Sequence, residues 1–216
     1  MRFLITTLLL LFVIEGCTSL DPKRSGSAES NITLVATALD DPSTGNDWLP
    51  PGLLSATFPA VRGAIWGTPI EENLVRIPVA IGKDFSLNFR ELEARIEPLA
   101  QPAVGATLDA VVFDPGATRI ARVGTFFFDE TNEHYVAGAG FKDAVTNDLL
   151  LLVYFDRPCS VHGIMVAQEQ SAEINISVPK AGLRWLRVTQ IDPNRSKLSL
   201  LMGQENIVLV ARKPRG

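Results

Sequence analysis

A chain of 216 residues, 46% of them hydrophobic, is long enough to bury a sizeable core, and a net charge of −4 with no run of Lys or Arg argues against a surface built to grip nucleic-acid phosphates. Two histidines and two cysteines leave little material for imidazole- or thiolate-based metal and nucleophile designs. No phosphate-cradling G-x-x-x-x-G-K loop and no G-x-S-x-G elbow occurs, so the common nucleotide-binding and hydrolase classes find no support.

The chain opens with Met1-Arg2 and then runs from Phe3 to Ile14 without a charge. A stretch of that length falls short of the roughly twenty residues a bilayer core demands, and it reads as the apolar centre of a signal peptide. It ends in Val13-Ile14-Glu15-Gly16-Cys17. This pattern resembles the lipobox of bacterial lipoproteins, in which an aliphatic residue stands three before the cysteine and a small residue directly before it. Ile14 and Gly16 match; Glu15 departs from the uncharged residue usual at its position. The resemblance covers these seventeen residues alone. It implies that residues 1–16 are removed as a signal peptide, that Cys17 becomes the lipidated first residue, and that two or more acyl chains hold the protein stably to a membrane. The expected location is the bacterial cell envelope. Thr18 rather than Asp follows the cysteine, which favours the outer membrane in a Gram-negative host. The competing reading is an ordinary secretory peptide cut elsewhere, or an uncleaved anchor.

Thr18 to Ser30 is polar or small and lacks aromatics, so residues 17–30 form a lipidated N-terminus and tether, and residues 31–216 the folded domain. With Cys17 modified, Cys159 has no partner for an internal disulfide. Core burial must then supply the stability.

Beyond the tether the pattern is strand after strand. Asn31 to Leu39 comes first, then Leu53 to Phe58 and Val61 to Trp66 after the Pro50-Pro51-Gly52 break. Val75, Ile77, Val79 and Ile81 alternate at period two, as do Phe85, Leu87 and Phe89. Arg90 to Leu99 reads equally as a short helix or a loop, with apolar Leu92, Ile96 and Leu99 at helical spacing and Pro98 ending it. Strands resume at Thr107 to Phe113, Arg119 to Phe128 and Tyr135 to Phe141. Leu149 to Phe155 is apolar on both faces and should be a central strand. Glu173 to Val178, Leu183 to Ile191, Lys197 to Met202 and Ile207 to Ala211 complete the series.

About a dozen short strands without βα alternation argue for an all-β domain, an antiparallel β-sandwich of Ig-like or transthyretin-like kind. A closed barrel is the second choice, and the strands are too short and irregular for a transmembrane barrel. An alternative division makes two small sandwiches that split near residues 100–106, suggested by the echo of Val61-Arg62-Gly63 in Val161-His162-Gly163.

Chemistry is sparse. The loop Asp129-Glu130-Thr131-Asn132-Glu133-His134 gathers carboxylates and an imidazole, making Asp129, Glu130 and His134 weak metal candidates; it lacks the glycine and spacing of an EF-hand, and a solvated hairpin tip is the favoured reading, as it is for Asp40-Asp41. Cys159-Ser160-Val161-His162 offers a thiol and an imidazole three apart, with a strand-connecting turn as the plain interpretation. Trp48, in a polar Pro-flanked loop, is a possible surface contact. No cofactor is implied. Two functions remain in view: a non-enzymatic binding or assembly module for another envelope protein, which is favoured, and a carboxylate-dependent hydrolase on an all-β scaffold.

Overall fold

Seven consecutive apolar or aromatic residues, Leu149–Phe155, organise everything around them. Successive side chains leave a strand on opposite faces, so a run of this kind has two apolar sides to cover. Leu150, Leu152 and Tyr154 enter one core, whereas Leu151, Val153 and Phe155 enter a second. The central strand expected from sequence is therefore the wall between two cores.

The computed structural model describes residues 29–37, 54–63, 65, 73–80, 83–103, 111–167, 170–201 and 207–212. In chain order the strands are β1 (Glu29–Thr37), β2 (Leu54–Arg62), β3 (Asn73–Val79) and β4 (Asp84–Asn88), then helix α1 (Phe89–Ile96). They continue as β5 (Gln101–Pro102), β6 (Val111–Asp114), β7 (Arg119–Val123), β8 (Phe126–Asp129), β9 (His134–Asp143) and β10 (Leu149–Phe155). The last are β11 (Cys159–Ala167), β12 (Gln170–Val178), β13 (Gly182–Asp192), β14 (Arg195–Leu200) and β15 (Ile207–Arg212).

All fifteen strands join one mixed sheet in the order β4-β1-β15-β9-β8-β2-β7-β10-β13-β14-β12-β11-β6, with β3 added to β2 and β5 to β7. The β-rich class read from sequence holds, but the purely antiparallel arrangement does not. β1 pairs with β15 and β12 with β14 in parallel. Alternation of apolar and polar residues reports which face is buried and carries no information on strand direction, so this could not be read from the pattern.

A sheet of this width must bend, and the bend is visible in the ladders. β2 pairs with β8 through Leu54–Thr57 and with β7 through Ala60–Arg62 in a single continuous register. Strands β7 and β8 thus act as one long strand folded at Gly124-Thr125, where Gly124 N–H donates to Pro59 O at 2.8 Å and Ala139 N–H to Thr125 O at 3.2 Å. The β9–β10 hairpin opens to receive this corner: next to its turn it pairs internally at Phe141–Lys142 with Leu149–Leu150, then β9 diverges to β8 and β10 to β7. A strand that turns this way passes from one layer to another. Sequence had placed two strands at Leu53–Phe58 and Val61–Trp66 and one at Arg119–Phe128; the observed break is on the other partner. Pro59 is accommodated at an irregularity in the β2–β3 ladder, whereas Gly124-Thr125 supplies the corner.

The first core takes Phe58, Phe127 and Phe141 together with Leu87, Leu92, Ile96 and Leu209. Phe58 stacks on Phe141 at 6.1 Å, and Phe141 meets Trp185 edge-on at 4.8 Å, the geometry aromatic quadrupoles favour. The second core is enclosed by the run from β7 through β10, β13, β14, β12 and β11 to β6. Since β6 and β7 are joined by only Pro115–Thr118, that run curls back toward its own start.

Helix α1 settles the segment that sequence left between helix and loop. Asn88 Oδ1 accepts from Glu91 N–H as an N-cap, Leu92 and Ile96 are buried, and Pro98 lies in the 3-10 turn Glu97–Leu99 that ends it. Eight residues are too few for a helix stable by itself, so its docking matters. Glu93 Oε1 accepts from Leu183 N–H at 2.7 Å beside Gly182, whose φ is +109° and whose missing Cβ would sit 2.5 Å from that same oxygen. Gly182→Ala should therefore cost about 1–3 kcal/mol, from backbone strain and the displaced carboxylate. Urea denaturation checks it, and an unchanged midpoint would show that Glu93 does not hold the helix there.

Candidate binding surface

Cys17, Asp40, Asp41 and Trp48 lie outside the described residues. The acidic loop joins β8 to β9 as a hairpin tip, and two of its carboxylates, those of Asp129 and Glu130, are engaged by the chain itself. Asp129 is fully buried; its Oδ1 accepts from Thr131 and Asn132 N–H at 2.8 and 3.2 Å, and its Oδ2 from Asn132 Nδ2 at 2.8 Å. Glu133 then takes the left-handed conformation that closes the turn. Glu130 leaves this group for Ser55 Oγ and Arg76, whose guanidinium also lies 4.2 Å from the centre of the Phe128 ring. His134 begins β9 and pairs with Asp129 in the ladder; its side chain is outside the described set. Among the described residues no three His, Cys, Asp or Glu gather as metal ligands.

The same design recurs at the next hairpin. Asp143, buried, accepts from Val145 and Thr146 N–H through Oδ1, and Asn147 adopts the left-handed conformation. Here the second oxygen meets Arg187 Nη2 at 2.7 Å, while Asp148 Oδ2 accepts from Thr146 Oγ1 and Thr189 Oγ1. These contacts bind the β9–β10 turn to β13.

Cys159 and His162 are not in a turn. They lie on β11, a strand absent from the sequence reading, and three residues apart on a strand means opposite faces. Cys159 is buried in the second core, where burial pushes its thiol up and a hydrogen bond with Thr118 offsets part of the effect. His162 is exposed. No thiol–imidazole pair forms. The strand escaped notice because its outward face is only half polar: Cys159, Val161 and Met165 point inward, while Ile164 and Val166 share the outer face with Ser160 and His162. Alternation is legible only where the outer face is polar. The Val61–Gly63 and Val161–Gly163 triplets occupy different places, one at the end of β2 and one inside β11.

That outward face is the feature sequence reasoning missed. Ile164 and Val166 on β11, and Val112 on β6, are 54%, 58% and 61% exposed, more than half of each side chain remaining in water. In the ladder Val112 stands opposite His162, which stands opposite Asn175; Ile164 is opposite Glu173, and Val166 opposite Ser171. An apolar strip is thus bordered on one side by the polar outer face of β12. On its other side is β6, which ends the sheet and has β11 as its only strand partner among the described residues. Single exposed aliphatics are ordinary, but these three share the outer face of adjacent strands, with Val112 diagonal to Ile164 and Val166 two positions further along β11, and so form a patch rather than isolated points. An edge strand presents backbone donors and acceptors to an incoming strand, and this strip would seat its side chains.

Two shifted titratable groups among the described residues are held in structural contacts. Tyr154 is pushed up to about 12, first by burial and then by the charge and hydrogen bond of Glu97, so it remains a neutral core residue. Asp156 is raised by burial but more strongly held down by Arg157 and by Arg119 N–H, leaving it below the usual carboxylate range as part of a turn. No helix among the described residues is long and apolar enough to cross a membrane. Compared with protein-family models, curated proteins and solved structures, the chain matches none.

Proposed function

We propose that this chain is a lipid-anchored protein of the bacterial cell envelope whose β domain serves as a non-enzymatic binding or assembly module for another envelope protein. The anchor rests on the Ile14-Glu15-Gly16-Cys17 pattern, with an outer-membrane location in a Gram-negative host following from Thr18. The observation that carries the binding role is the exposed Val112, Ile164 and Val166 strip beside β6, which has no second strand partner among the described residues. Residues 31–216 are read as one β-sandwich domain of Ig-like or transthyretin-like kind. Support for the layered reading comes from the first core, which gathers buried residues of β2, β4, β8, β9 and β15 together with those of β7, β10, β13 and α1. A carboxylate-dependent hydrolase would have to draw on acids other than Asp129 and Asp143, whose oxygens cap their own turns.

Two measurements test the proposal. Cys17→Ser should move the protein from the membrane to the soluble fraction, because no acyl chain remains to hold it. A photo-crosslinking residue at position 164, in intact cells, should trap one recurrent envelope protein, and Val112→Asp with Val166→Asp should reduce that adduct at least tenfold while leaving the circular dichroism unchanged. An unmodified Cys17 in the mature protein removes the anchor; turnover of a model ester or glycoside, with no adduct at 164, removes the binding module in favour of the hydrolase.

A further inference from the structure

Strand directions show which end of the fold is nearest the residues that precede Glu29. Ile32 of β1 pairs with Ile207 of β15, and Ile207 pairs with Asp143 of β9. Glu29 lies three residues beyond this row, on the side where the β9–β10 turn also projects. Next to it Leu149 pairs with Val188, and Thr189 Oγ1 donates to Asp148, so the β13–β14 turn lies alongside. The point where the chain enters the sheet and two hairpin tips thus share one end.

At this end stand two exposed apolar side chains, Val145 in the β9–β10 turn and Ile191 at the β13 bulge beside the β13–β14 turn. Val145 is 80% exposed and Ile191 53% exposed. The β8–β9 tip, at the other end of the ten-residue strand β9 and about 30 Å away, carries Thr131, Asn132 and Glu133 instead. Glu29 stands twelve positions after Cys17, a contour of at most about 40 Å, so a lipid on Cys17 keeps this end within reach of the bilayer.

We infer that the β9–β10 and β13–β14 tips face the membrane, with Val145 and Ile191 entering the lipid interface beside the anchor. This rests on the lipidation of Cys17 proposed above. The occupant is the bilayer surface rather than a protein: Val145 sits in the β9–β10 turn and Ile191 at the bulge of β13 just before its turn, positions suited to shallow insertion, and the flanking ionic groups are of both signs, Lys142 with Arg195 against Asp148 with Asp192. Contact of this kind would hold the β11 strip at a fixed attitude to the membrane.

The full chain carrying Val145→Cys, Ile191→Cys or Thr131→Cys, each labelled with an environment-sensitive fluorophore, is reconstituted into phosphatidylethanolamine–phosphatidylglycerol vesicles that contain a lipid-borne quencher. Quenching at 145 and 191 should exceed that at 131 at least twofold. Equal quenching at all three positions overturns the inference, as does protection of 145 and 191 from both the lipid-borne and a water-soluble quencher, which would assign the tips to a protein contact. Cys17→Ser separates this from the anchor. If that variant keeps the vesicles and the same quenching pattern, the tips bind lipid and the anchor reading fails; if the wild type is vesicle-bound with 145 and 191 unquenched, the anchor stands and the orientation fails.

Discussion

Phe155→Ala should lower the free energy of unfolding by about 3–5 kcal/mol, and Leu152→Ala by about 2–5 kcal/mol. Both side chains are fully buried on β10, yet they lie in different cores. Each substitution removes apolar contact and leaves a cavity that the flanking strands cannot close without breaking ladder bonds to β7 or β13. A domain of this size has only about 5–15 kcal/mol to lose, so either change takes a large share. Because one strand lines both cores, the two variants should each unfold in a single transition, with far-ultraviolet circular dichroism and tryptophan fluorescence coincident. Trp185 pairs with Leu152 and packs on the first core, so it reports there. If Phe155→Ala moved the dichroism midpoint and left the fluorescence midpoint in place, the two cores would be separate folding units.

What could be read from sequence follows from which signals survive in one dimension. Leu149–Phe155 announced itself because a run of seven apolar or aromatic residues, too short for a typical buried helix and preceded by the Asn147-Asp148 turn, fits a strand covered on both sides. The α1 segment was visible through Leu92 and Ile96, but its length left helix and loop equal until Asn88 and Glu93 were seen to cap and dock it. The parallel pairings of β1 with β15 and β12 with β14 depend on the order in which strands meet, which no local pattern records. The candidate surface was hidden for a different reason. Ile164 and Val166 made β11 look neither like a helix nor like a half-buried strand, and the residues that obscured the strand are those that compose the strip. Sequence–structure mismatch of this sort is expected where a residue serves something other than the fold. The acidic loops show the converse: Asp129 and Asp143 attract attention as ligands, yet each spends its oxygens on the backbone of its own turn.

Asp143 gives the second large effect. Its carboxylate is buried, ion-paired with Arg187 and hydrogen-bonded to two backbone N–H groups, so Asp143→Ala takes a partner from three donors at once. Removing one member of a buried pair costs up to about 3–5 kcal/mol, chiefly from the charge left behind, and Asp148 Oδ2, 3.7 Å from Arg187 Nε, holds the cost toward the lower end of that range. Asp143→Asn keeps an oxygen for the turn and loses only the ionic part, and should cost about 1–3 kcal/mol. The exposed Arg95–Glu91 pair on α1 sets the scale for comparison: at 2.9 Å it is nearly as short, yet water screens both groups, and Glu91→Ala should change stability by no more than about 0.5 kcal/mol. Chemical denaturation of the three variants ranks these terms. Burial rather than separation then decides what a charge pair is worth here, and an Asp143→Ala variant as stable as Glu91→Ala would mean that the β9–β10 turn opens to let water replace the lost carboxylate. The same opening would loosen the tip that carries Val145, so the stability of this pair and the presentation of that side chain are coupled through one hairpin.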